Sequence, residues 1–378
     1  MAPGARAMPQ HDLIVIGGSA GALQVLTEIV EGLPSNLPAC VLIVIHTRID
    51  SNGFLPQILE RISRLPVAFA RTGDAIARGR IYIAPADVHL IINDSRLMLV
   101  RGPRENGFRP AVDPLFRTAA RQRGARVIGV ILSGGLSDGS YGLSLIKKHG
   151  GFTVVQDPND ALIDSMPRAA MDTADVDYVL RAENIAPTLE LLCTTSSERG
   201  APAMSRQKDL EPQLASQDTE VSEMEERFGD PSPFTCPDCG GTLWEIKDGR
   251  AVRYQCHVGH QYAPDGLETA QRDAIDSAMW SAVRALEEHA ELKSRLAKRA
   301  AAGGLTVVSE GFENGARVAH QQAQQIRNVL FSAASTAGDD AAAVEVQQVS
   351  ALNRKAAAAT RGKARGRKTR KPARKNRR

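Results

Sequence analysis

At 378 residues the chain exceeds one ordinary domain and predicts two or three, with room for an enzyme's core. Hydrophobic residues make up 43% and aromatics only 4%, which suits an aliphatic α/β core and argues against an aromatic-rich sandwich. The formal charge of +4 conceals an asymmetry, because 13 of the 47 Lys and Arg fall in residues 354–378, which hold no acid, and the rest is net acidic.

Residues 12–192 alternate apolar runs with helical patterns. Leu13-Ile14-Val15-Ile16, Val41-Leu42-Ile43-Val44-Ile45 and Val127-Ile128-Gly129-Val130-Ile131-Leu132 are continuously apolar, as strands buried on both faces must be, and predict a doubly wound, mostly parallel sheet. Two apolar runs within residues 76–101, split by "NDS", predict an antiparallel hairpin added to that sheet. The first domain is therefore set at 1–195, with a polar linker at 196–230. A small Cys/His segment follows at 231–264. Residues 265–353 carry Leu267, Ile275, Met279, Val283, Leu286 and Leu296, then Val318, Ile326, Val329 and Leu330, at helical spacing around Gly303-Gly304. A packed helical hairpin is expected. Residues 354–378, without large apolar groups, predict a disordered basic tail. No apolar run is long enough for a transmembrane segment and no export signal opens the sequence, so a cytoplasmic location is expected.

The stretch "IVIGGSAGAL" places Ser19 within Gly17-Gly18-Ser19-Ala20-Gly21, a match to the strand-to-helix nucleophile elbow. Two other readings stand beside it. Ser19 could cap the following helix, or the glycines could cradle a phosphate, although a dinucleotide fingerprint needs glycine where Ser19 stands. His46 ends the second apolar strand and Asp138 follows the "VIGVIL" strand in "SGGLSDGSYG". In an open parallel sheet all strand carboxyl ends share one edge, so the three side chains can meet there as nucleophile, base and orienting acid. The order Ser, His, Asp differs from that of α/β-hydrolases.

The stretches "IGGSAGAL", "VIHTRID", "IYIAPADVHL", "FRPAVDPLF", "VIGVILSGGLSDGSYGL" and "VVQDPNDALIDSMPRAAM" together resemble the catalytic domain of chemotaxis protein-glutamate methylesterases, the CheB family. The resemblance implies a serine esterase that hydrolyses glutamyl methyl esters on methylated chemoreceptor cytoplasmic domains, with glutamine deamidation as a companion activity and no catalytic cofactor. It implies Ser19 as nucleophile, His46 as base and then acid, Asp138 as the orienting carboxylate, and the backbone N–H groups of Ala20 and Gly135 as oxyanion donors. His89, Arg109, Met166 and Pro167 lie in matching stretches, either lining the substrate cleft or serving the scaffold. Departures are Ala20, where the family usually has Thr, and Gly135, where Met is common. Only eleven residues precede the first strand, so the family's phosphorylated receiver domain is expected to be absent, and with it regulation by that route. The competing reading is a non-catalytic adaptor that uses an esterase-like fold, ribbon and hairpin to bind signalling partners.

Cys236-x2-Cys239 and, sixteen residues on, Cys256-x3-His260 have the spacing of a closed structural zinc site in a zinc-ribbon-like module. His257 competes with His260 as fourth ligand, but would have to turn beside Cys256 to the same ion. A redox dithiol would lie outside the α/β unit such motifs need. Cys40 and Cys193 lack metal spacing. The basic tail suits an anionic membrane leaflet or sequence-indifferent nucleic-acid binding, with a partnerless solvated tail as the alternative.

Overall fold

The computed structural model describes residues 11–46, 54–195 and 229–337. The linker between 196 and 228, the basic tail and Thr47 to Asp50 of the "VIHTRID" stretch lie outside the described residues.

The apolar runs form the strands their composition predicts. β1 (Leu13–Gly18), β2 (Cys40–Ile45), β3 (Val67–Phe69), β4 (Arg80–Ile83), β7 (Val127–Ile131), β8 (Phe152–Gln156) and β9 (Tyr178–Leu180) make a seven-stranded sheet. Their spatial order is β3-β4-β2-β1-β7-β8-β9, and every pairing is parallel. β1 shows why a continuous apolar run is needed. Ile14 and Ile16 face one core with Leu26, Ile29 and Leu189, while Leu13 and Val15 face the other with Leu115, Phe116 and Leu143. Helices α1 (Ala22–Gly32), α2 (Leu55–Glu60) and α6 (Ala182–Thr194) contribute to the first layer, and α3 (Val112–Arg123), α4 (Ser140–Lys148) and α5 (Ser165–Thr173) to the second.

The expected hairpin is present as β5 (His89–Asn93) and β6 (Arg96–Val100), antiparallel. It forms a two-stranded sheet of its own instead of extending the large one. Leu90, Ile92 and Leu97 bury against the α3 side of the core. Backbone bonds from the Gly73 N–H to the Leu97 carbonyl and from the Leu97 N–H to the Asp74 carbonyl, both 2.8 Å, tie β6 to the preceding loop, so helix packing and this short pairing, not the large sheet, place it.

The Cys/His segment folds as four antiparallel strands, β10 (Asp230–Thr235), β11 (Thr242–Asp248), β12 (Ala251–Cys256) and β13 (Gln261–Tyr262). Two long helices follow, α7 (Pro264–Ala302) and α8 (Thr306–Ala337). The chain divides into two compact units at Gln271, so the first turns of α7 belong with the first unit, where Leu267 joins the small core of Leu243, Cys256 and Tyr262. In the second unit Met279, Val283 and Leu286 pack with Ile326 and Leu330. Ile275, Leu296, Val318 and Val329 are exposed instead. Their places in the seam are taken by buried alanines, among them Ala290, Ala297, Ala316 and Ala323. Among the described residues no helix is long and apolar enough to cross a membrane.

Candidate active site

Strand order reverses beside β1: β2, β4 and β3 lie on one side, and β7, β8 and β9 on the other. At such a switch point the loops leaving adjacent strands part and open a crevice at their carboxyl ends. The registers Gly18↔Ile45 and Gly17↔Ile131 bring the residues that follow these strands to one edge. Ser19 leaves β1, His46 leaves β2, and Asp138 lies in the turn after β7. His46 is fixed to β1 by its N–H, which donates to the Gly18 carbonyl at 3.1 Å.

His46 Nε2 meets Asp138 Oδ2 at 2.7 Å. The imidazole is nearly buried and the carboxylate wholly so. Such a carboxylate needs donors to remain charged. The Val112 N–H donates to Oδ2 at 2.6 Å, and the Asn106 amide to Oδ1 at 3.0 Å. The Asp113 N–H reaches Oδ1 at 3.3 Å, so the amino end of α3 is aimed at the acid. Burial alone would push the Asp138 carboxyl up, but His46, the Val112 N–H and Asn106 outweigh it and hold it below the ordinary range. The Phe108 ring stacks on the imidazole, with centroids 3.7 Å apart and planes 7° from parallel. With Nε2 given to Asp138, the nitrogen left for a substrate-side proton is Nδ1, which is buried and makes no hydrogen bond among the described residues.

The helix-capping reading of Ser19 meets a different cap: α1 begins after Gly21, in the left-handed region at φ 84°, with no side-chain cap bond. Ser19 sits in the preceding turn. Its N–H donates to the Ser133 carbonyl at 2.9 Å, and the Ser133 hydroxyl donates to the Ala20 carbonyl at 2.8 Å. Gly134 is required by close approach, since a Cβ there would stand 2.1 Å from Met166 Sδ and 2.8 Å from Ser19 Cβ. Ala20 is exposed, and a Cβ on Gly135 would meet open space. The N–H groups of both residues donate to no described residue.

The four cleft candidates divide by contact. His89 is buried, with Nε2 on the Pro103 carbonyl at 2.9 Å and Nδ1 accepting from the Ala111 N–H at 3.2 Å. Arg109 spends its guanidinium on Asp87 and on the Gly102 carbonyl. Both therefore hold the 101–111 loop, which carries Asn106 and Phe108. Met166 is buried beneath Gly134, to whose carbonyl its N–H donates at 2.9 Å, and Pro167 is buried beside it. Asn106, Phe108 and Ser133 were not singled out by sequence reasoning. Phe108 opens the "FRPAVDP" stretch and Asn106 lies two residues before it, so that stretch was the one signal near them.

Apart from this edge, the Sγ atoms of Cys236, Cys239 and Cys256 and a nitrogen of His260 lie within 4.8 Å of one another. His260 Nδ1 is 3.6 Å from Cys236 Sγ and 3.4 Å from Cys256 Sγ, and Cys239 and Cys256 are 3.7 Å apart. His257 is not in the cluster. Cys40 and Cys193 are buried and unpaired by disulfide, and burial pushes each thiol up to about 12.

Residues 14–189 match the family model described as CheB methylesterase. A Leptospira interrogans protein named "Putative protein-glutamate methylesterase/protein-glutamine glutaminase" is 41% identical over 177 residues, spanning 47% of this chain and 92% of that protein. The chain belongs to the CheB methylesterase family. A Pyrococcus abyssi protein-glutamate methylesterase/protein-glutamine glutaminase is 36% identical over 186 residues, covering 48% of this chain and 50% of the relative. The chain thus spans about half the length of that relative. The crystal structure of the Thermotoga maritima CheB methylesterase catalytic domain aligns with TM-score 0.45 and 32% identity over 48% of this chain and 98% of that one. The CheB match contains Ser19, His46 and Asp138, whereas the Cys/His cluster lies beyond its end.

Proposed function

We propose that this chain is a cytoplasmic serine esterase that removes methyl groups from glutamyl esters on chemoreceptor cytoplasmic domains, and also deamidates glutamine there. The observation that carries the reading is the buried His46–Asp138 pair, 2.7 Å apart, at the sheet edge where Ser19 leaves the adjacent strand. The Ser19 hydroxyl is a weak nucleophile until a base takes its proton. His46 Nδ1 accepts that proton as Ser19 Oγ attacks the ester carbonyl carbon. Asp138 keeps the other proton on Nε2 and stabilises the imidazolium that forms. The oxyanion faces the N–H groups of Ala20 and Gly135, each such donor being worth about 3 to 4 kcal/mol in hydrolases. Collapse returns the proton to the leaving oxygen and releases methanol. Water, activated by the same nitrogen, then frees Ser19 and leaves a glutamate carboxylate.

The test is Ser19→Ala with methylated receptor as substrate: methanol release should fall to background while the circular dichroism spectrum stays unchanged. Undiminished release would rule out the serine mechanism.

For the Cys/His module the reading is a structural zinc site. Three thiolates and an imidazole are a preferred zinc donor set. Zn–S and Zn–N bonds of about 2.3 and 2.0 Å imply tetrahedral edges of roughly 3.8 Å between sulfurs and 3.5 Å from sulfur to nitrogen, and the distances above fit them. With four protein ligands the ion would stabilise the fold and take no part in hydrolysis. The tail, read from sequence alone, suits salt-sensitive contact with an anionic membrane or nucleic acid.

A further inference from the structure

The Cys/His module is seated beside the catalytic acid. β13 runs along residues 104–106: the Asn106 N–H donates to the Gln261 carbonyl at 2.7 Å, the Gln261 N–H to the Arg104 carbonyl at 3.4 Å, and Glu105 and Gln261 form a parallel bridge. Asn106 is 6% exposed, with φ 52°, a left-handed backbone that Asn tolerates better than most residues. Its side chain has both ends taken. Oδ1 accepts the Ala263 N–H at 2.7 Å, and Nδ2 donates to Asp138 Oδ1 at 3.0 Å. A second link lies alongside, where the Ser137 hydroxyl donates to Asp265 Oδ1 at 2.5 Å.

An amide can turn over and exchange its oxygen for its NH2 at little intrinsic cost, so its neighbours decide which end faces where. A backbone N–H can only donate. The Ala263 N–H therefore requires the amide oxygen on its side and sends the NH2 toward Asp138. In the flipped amide, oxygen would face carboxylate. Oδ1 of Asp138 would keep only the 3.3 Å bond from the Asp113 N–H, and the carboxylate would turn toward it, away from His46. The other contacts do not reach the carboxylate: Ser137 with Asp265 holds the turn beside Asp138 without donating to it, and Lys148 with Asp248 and Arg250 with Asp175 are exposed ion pairs, which contribute little. Arg253 lies 4.6 Å from the centre of the Tyr141 ring and makes no hydrogen bond to Asp138 among the described residues.

We propose that Asn106 is a positioning residue through which the docked Cys/His module orients Asp138, and with it the His46 base, so that turnover requires the module. The inference rests on the esterase reading for its kinetic consequence.

The experiment compares Asn106→Ala, Ala263→Pro and Arg250→Ala in the full chain. Ala263→Pro removes the donor without altering any side chain of the esterase domain. Both Asn106→Ala and Ala263→Pro should lower kcat about ten- to a hundredfold, the cost of small misplacement in an active site, with KM within about twofold. Arg250→Ala should leave both unchanged. Proton NMR gives an independent readout: the low-field Nε2–H resonance of His46 should move or broaden in the first two variants only. Unchanged kcat and resonance in Asn106→Ala would overturn the proposal. So would an effect of Asn106→Ala that Ala263→Pro fails to reproduce, or an equal loss in Arg250→Ala. Should Ala263→Pro unfold the module, kcat must fall likewise, and retained turnover would be equally fatal. If the unaltered chain releases no methanol the esterase reading fails, and the resonance still decides whether the module orients the pair.

Discussion

Asp113 gives the site a pH signature. Burial first, and then the negative charge of Asp138, push its carboxyl up to about 7, while its Oδ1 accepts the Gly142 N–H at 2.7 Å. An unfolded aspartate titrates near 3.9. The protonated form therefore contributes stability that is complete below about pH 4 and is lost as pH rises to about 7. Asp138 has the opposite sign: its folded carboxyl lies below the ordinary range, so its contribution holds above about pH 4 and is lost in more acidic solution. Between pH 5 and 7 the Asp113 contribution should decline by up to about 1.4 kcal/mol per pH unit. Asp113→Asn keeps the oxygen that faces Gly142 and removes the titration. Urea unfolding across this range should show the variant gaining on the wild type as pH rises, and parallel curves would refute the assignment.

Among the elements, the Cys/His module depends most on something outside its own apolar packing. Its buried cluster contains Cys236, Leu243, Cys256, Tyr262 and Leu267, far less than a free-standing domain needs. Behind the donors, the Tyr262 hydroxyl donates to Asp238 at 2.5 Å, and Asp238 lies 3.9 Å from His260 Nε2. A carboxylate beside a ligating imidazole helps to orient it. Metal analysis of the purified protein should find about one zinc per chain, as one closed four-ligand site requires. Cys239→Ser should lose it, and strong chelation should unfold β10 to β13 while the parallel sheet persists. A metal-free protein whose module keeps its amide-exchange protection would contradict the zinc reading.

For the whole molecule, division into two compact units predicts separable unfolding. Ala323 is 1% exposed, in the seam with Val283 and Leu330, and Ala323→Asp would bury an unpaired charge there at a cost of about 3 kcal/mol or more. Calorimetry should show the helical-hairpin transition shifted down, with methanol release at moderate temperature unchanged. Loss of both transitions together would mean that the units unfold as one.

Continuous apolar runs determined the parallel sheet, because a strand covered on both faces can be built in few other ways, and the strand-end positions of Ser19, His46 and Asp138 were legible for the same reason. The adjacency of His257 to Cys256, which would turn two successive side chains to one ion, favoured His260 from sequence. Other features are decided by the tertiary fold. The β5–β6 hairpin stays out of the large sheet because α3 supplies its apolar partner, and the alanine seam escapes a search for large side chains. Asn106 owes its orientation to Ala263, 157 residues further along the chain. Local pattern carries burial and strand edges, since these repeat within a few residues. The choice of donor for a buried carboxylate is made by groups far apart in sequence, and only tertiary structure brings them within hydrogen-bond reach.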